Sequence, residues 1–173
     1  MQSFQGDFGN DDDLALFSFT LDTSGPLRAS TYSHSGGVNA AGALIPAGGF
    51  APVLSLFGPD GYYVDGQVGS ANGCVGTGSF CWDVRFETTL AAGRYLLALS
   101  QDGNDPDPGL PATPSTVAGL FSQTGRPAYT AAYLGSGADP ATRFVRAGGD
   151  LRSGHWALDI DVADLVQELD RPV

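Results

Sequence analysis

The chain has 173 residues, enough for one well-buried core and short for two ordinary domains. Its eight basic residues are all Arg, set against 19 Asp and Glu, for a formal charge of -11 and a pI near 4.2. Such a surface repels phosphate backbones and anionic membranes and attracts divalent cations, so nucleic acid and membrane insertion are not expected and a hard cation is.

In chain order the pattern is of strands separated by turn chemistry. Residues 3–8 read as a short first strand. An acidic cluster then leads into a second strand over 14–21, in which Phe17, Phe19 and Leu21 share one face and Ser18 and Thr20 the other. Residues 22–26 are a turn, and 27–33 carry the chain back. The Gly- and Ala-rich stretch 35–50 reads as a long crossover between sheets. Residues 53–57 and 62–64 flank Gly58-Pro59-Asp60-Gly61, the strongest hairpin signal in the chain.

Cys74 and Cys81 enclose a loop containing two glycines, and a disulfide between them is expected in an oxidising compartment. The alternative is a pair of unrelated thiols. Zinc is not expected, since only His34 and His155 are left to complete its shell. After the cysteines comes the clearest amphipathic strand, with Val84, Phe86 and Leu90 inward and Asp83, Arg85 and Glu87 outward. A turn at 90–93 starts the apolar run 95–99. Residues 106–126 carry four of the prolines and read as a long surface loop. Residues 128–134 are expected to return as a strand. The last strand, 155–162, turns Trp156, Leu158, Ile160 and Val162 inward and Asp159 and Asp161 outward. Residues 163–173 are expected to be a short terminal helix or a linker.

About eight strands joined by loops too long for a meander predict an all-β fold: a two-layer antiparallel β-sandwich with jelly-roll-like topology, in a single domain over 1–173. An up-and-down barrel is the alternative.

Two acidic stretches stand out. Asp102, Asn104, Asp105 and Asp107 are packed among Gly and Pro in the loop after the 95–99 strand, and Asp11, Asp12 and Asp13 precede the second strand. Ca²⁺ needs six to eight hard oxygens, and either stretch can begin such a shell. The first is not an EF-hand, because Thr113 stands where a bidentate Glu would close the loop. The plainer reading is a solvated turn whose Asp and Asn cap their own backbone. On a strand Asp12 points away from Asp11 and Asp13, so those three need a bulge to ligate one ion. A joint site requires neighbouring strands.

Catalytic candidates are poor. No nucleophile and base assemble around His34 or His155. Asp159 and Asp161 share a strand face, as a glycosidase pair would, but alternating surface charge is the commoner explanation. A carbohydrate platform would draw on Tyr62, Tyr63, Trp82, Tyr129 and Tyr133, if an exposed coplanar pair exists.

The ordered segments Asp11-Asp-Asp-Leu-Ala-Leu-Phe-Ser-Phe-Thr-Leu21, Gly36-Gly-Val-Asn-Ala-Ala-Gly42, Gly48-Gly-Phe-Ala-Pro-Val-Leu-Ser-Leu-Phe57, Leu90-Ala-Ala-Gly-Arg-Tyr-Leu-Leu-Ala-Leu-Ser-Gln101 and Arg152-Ser-Gly-His-Trp-Ala-Leu-Asp-Ile160 carry a resemblance over most of the chain. It resembles a family of exported bacterial proteins that often end in a PEP-CTERM sorting signal. That family is similar to the bacterial pre-peptidase C-terminal domain, a calcium-associated jelly-roll sandwich. The resemblance implies an extracellular location and no established catalytic activity. Ala51 departs from the pattern, where related sequences frequently carry Asp. The chain also stops at Val173, before any sorting helix, and shows no cleavable signal at its start.

These readings combine into a secreted, non-catalytic, calcium-stabilised β-sandwich acting in cell-surface or extracellular-matrix binding or self-assembly. A carbohydrate-binding module, with an extracellular polysaccharide as partner, is the alternative.

Overall fold

The computed structural model describes residues 1–69 and 81–169. Within them the chain forms eleven strands: β1 (Gln2–Asp7), β2 (Ala15–Leu21), β3 (Gly25–Thr31), β4 (Gly37–Val38), β5 (Leu44–Ile45), β6 (Pro52–Phe57), β7 (Tyr63–Gln67), β8 (Arg85–Leu90), β9 (Gly93–Gln101), β10 (His155–Asp161) and β11 (Gln167–Leu169). One sheet runs β1-β10-β3-β8 and the other β11-β2-β9-β6-β7, with β4-β5 a separate hairpin. Every strand pair is antiparallel. The chain changes sheet at nearly every connection, which is the crossing pattern of a sandwich and not of a meander. Each large sheet keeps two edge strands, so the hydrogen bonding does not close a barrel.

Alternation sets the core. Phe17, Phe19 and Leu21 of β2, Leu54 and Leu56 of β6 and Leu97 and Leu99 of β9 face Leu27 of β3, Phe86 of β8 and Trp156, Leu158 and Ile160 of β10. The second sheet is buried on its back as well. There Leu14, Leu16, Phe57, Leu96 and Ala98 are covered by Ala112, Val117 and Phe121. A strand buried on both faces reads as a continuous apolar run, as β6 does, and β9 from Tyr95 onward. The Pro-rich stretch after β9 is therefore a cover for that back face.

Three expectations are corrected. Residues 129–134 form a 3₁₀ helix (Tyr129–Leu134) in place of a strand, because Tyr129 and Thr130 are both drawn into the interior while the next residues are not. Residues 163–169 are neither helix nor linker throughout: β11 pairs with β2, and Leu169 packs on the cluster behind the second sheet. The crossover 35–50 also contains the β4-β5 hairpin, which presents Val38 and Leu44 to solvent.

Candidate functional site

The β2–β9 register pairs Ala15 with Leu99, so the residues before β2 and after β9 lie at one end of the sandwich. The two acidic stretches lie at the same end, as a joint site requires, but residues 123–130 take up Asp11 and Asp12 from one and Asn104 from the other. Asp11 is fully buried, and its two oxygens accept the Thr130 N–H at 2.8 Å, the Thr130 hydroxyl at 2.6 Å and the Phe144 N–H at 2.6 Å. Asp12 turns outward from it to accept the N–H groups of Gly125 and Arg126 at 2.9 and 3.1 Å. Asp13 turns back and accepts those of Gly9 and Asn10 at 2.7 and 3.1 Å.

In the second stretch, buried Asn104 accepts the Gln123 N–H at 3.0 Å and Asp107 closes a small turn on Gly109 at 2.8 Å. Burial, and then the nearby Asp105 charge, pushes the Asp102 carboxyl above its usual range against the opposing Gly103 N–H. Five of the seven predicted calcium ligands thus accept backbone N–H groups, and those of the 11–13 stretch diverge toward different segments. Among the described residues no three His, Cys, Asp or Glu side chains converge as a metal site would require. Asp11, Asp12, Asp13 and Asp107 each meet the partial positive charge of an amide group at hydrogen-bond distance.

The same device recurs elsewhere in the sandwich. Asp83, expected on the wet face, is buried, because its carboxylate accepts the Ser33, His34 and Ser35 N–H groups and the Thr31 hydroxyl. Burial raises its carboxyl's pKa, and those four bonds work against the rise. Asp159 is also buried and not outward, covered by the β4-β5 connection. It accepts the Ser3 hydroxyl at 2.5 Å and the Ala40 N–H at 2.7 Å. The Tyr32 phenol is pushed up to about 12 by burial and by its hydrogen bond to Asp159. Asp161 pairs instead with the chain's amino terminus and Arg28. The two aspartates therefore serve different neighbours and form no glycosidase pair.

His155 is held at both ring nitrogens, by the Ser153 hydroxyl on Nδ1 and by the Pro46 carbonyl 2.8 Å from Nε2. It staples the 46–49 segment to the start of β10. Among the aromatic candidates, Tyr129 is buried and Tyr63 packs edge-on against Phe57. Tyr62 and Tyr133 are exposed, with no ring pair joining them among the described residues. Cys74 lies outside the described residues, so the expected disulfide does too; Cys81 is buried, with its sulfur 3.4 Å from the Ser35 hydroxyl.

Sequence reasoning missed a cleft at the same end of the sandwich. Its walls include Phe50, Gln101, Asp102, Tyr133, Arg146 and Arg152 around about 10 Å³ of free space, room for roughly one water. The Gln101 Oε1, Arg146 Nε and Arg152 Nε atoms are buried with no hydrogen-bond partner among the described residues. Arg146 also pairs with Asp150 at 2.6 Å and lies 5.7 Å above the Trp82 ring, which in turn is 6.2 Å from His34. Burial, then Arg152 and Arg146, lower the His34 pKa to about 4. Phe144, another wall of the cleft, has φ of 54°, a left-handed backbone that costs a bulky residue about 1–2 kcal/mol. Asp11 holds it there through its N–H. The available signal was that three of the eight arginines fall at 143, 146 and 152.

Comparison with family models, curated proteins and solved structures finds no match to this chain.

Proposed function

We propose that the chain is an exported, non-catalytic β-sandwich that works by binding at the cell surface or in the extracellular matrix. The observation that carries this reading is the cleft beside Gln101, where buried polar atoms without partners collect on a loop cap fixed by carboxylates. Buried polar groups left unpaired are costly, and their concentration in one place is characteristic of a site completed by something else. His155 supports a non-catalytic role, since both of its ring nitrogens are engaged within the fold. The ordered resemblance to exported bacterial sandwiches supports the location. In this proposal the acidic loops are held by their own amide contacts, and Ca²⁺ contributes little to stability.

A polysaccharide array probed with the folded protein tests the reading. Selective retention of a subset of matrix glycans is expected, and uniform background across the array counts against it. Self-association is the second reading, favoured by Val38 and Leu44, exposed together on the β4-β5 hairpin. Light scattering on eluting protein decides it, with an oligomer that Leu44→Asp dissociates as the result expected from that reading.

A further inference from the structure

Three residues that line the cleft carry buried atoms with no partner among the described residues, and these atoms differ in what they lack. Arg146 and Arg152 each present a buried Nε–H without an acceptor, while Gln101, only 4 % exposed, presents a carbonyl oxygen without a donor. All three residues line the same cleft. A group that satisfies them supplies acceptor oxygens to two guanidinium groups and a hydroxyl or N–H to the amide. In a chain of net charge -11, the two arginines face one lining carboxylate, Asp102, and Asp150 pairs with Arg146 from outside the wall. Tyr133, a residue 44 % exposed, also lines the cleft, and the space inside is about that of one water. Phe144 is held in its left-handed conformation where it walls this space, and such strain persists where the surrounding structure enforces it.

We infer that this cleft is a subsite for a hydroxy-carboxylate, the grouping carried by a uronic acid residue of an acidic polysaccharide. The cleft, with room for about one water in the free protein, widens on binding so that the carboxylate lies against Arg146 and Arg152 and a vicinal hydroxyl donates to Gln101 Oε1, with the sugar ring toward Tyr133. A carboxylate is favoured over a neutral sugar because guanidinium donors are matched by charged acceptors. The inference rests on the binding-module reading and names the ligand class for it.

Calorimetric titration with tri-galacturonate, with galactotriose of equal length, and with a short peptide ending in a free carboxylate tests it. Tri-galacturonate is expected to bind, galactotriose and the peptide to bind at least about tenfold more weakly, and raised salt to weaken the uronate, because charged hydrogen bonds are at stake. Arg152→Gln, on a half-exposed residue, and Gln101→Glu, which sets a carboxylate against the ligand's own, are each expected to cost about tenfold or more while circular dichroism and melting show a folded protein. Equal binding of the two trisaccharides, tighter binding of the peptide, or full uronate affinity in both variants overturns the subsite. Retention of neutral glycans on the array with no uronate binding sinks this inference alone. Silence in both experiments, from a protein that stays monomeric, sinks the module reading with it.

Discussion

Asp11 shows what a buried carboxylate does in this protein. Three donors from two loops meet its two oxygens, and each bond to a charged acceptor contributes more than a neutral one. Asp11→Asn leaves a single oxygen to accept and turns an NH₂ group toward N–H donors. It is expected to lower unfolding free energy by about 3 kcal/mol in urea titrations, through lost charged bonds and a mismatched buried amide. Loss under about 0.5 kcal/mol, the range of an ordinary surface change, would contradict the role. His34 sets a pH dependence at the same scale. Its folded pKa, about 4, lies below the ordinary 6.5, so between those values the unfolded chain binds the extra proton. The contribution of His34 is therefore complete above pH 6.5 and is lost as pH falls toward 4. Melting temperature is expected to drop over that window, and His34→Gln is expected to flatten that part of the profile.

At the scale of elements, close backbone approach decides where the loops end. A Cβ on Gly49 would lie 2.5 Å from the His155 carbonyl oxygen and 2.6 Å from that of Ser33, both fixed backbone atoms. Gly49 also bridges Ser153, joining the crossover to the start of β10. Gly49→Ala is expected to cost upward of about 2 kcal/mol by chemical denaturation, as overpacking against backbone does. Most strands were legible from period-2 alternation and the Pro59-Asp60-Gly61 turn, because those patterns are local. Asp83 and Asp159 were not, since alternation assigns a face and says nothing of a loop that later covers it. Residues 128–134 were misread for a related reason: Tyr129 and Thr130 face inward together because Asp11, far away in the chain, captures Thr130. The acidic stretches were legible as a feature, but their partners were not, because composition does not say which loop's amides a carboxylate meets.

Over the whole molecule, the sandwich is tied by carboxylate contacts between segments distant in the chain: Asp11 to residues 130 and 144, Asp12 to 125 and 126, Asp83 to 33–35, and Asp159 to 40. An acidic composition is used here to fasten a Gly- and Pro-rich chain, and the cleft at the capped end depends on that fastening through Phe144. The most direct test of this account is thermal unfolding by calorimetry in millimolar Ca²⁺ and again in excess EDTA at neutral pH. A resident ion present at 100 times its dissociation constant would add about 2.7 kcal/mol, and about 5–10 °C in melting temperature for a chain this long. The account predicts coincident transitions in the two buffers. A transition lowered by several degrees in EDTA, and restored by Ca²⁺, would contradict it.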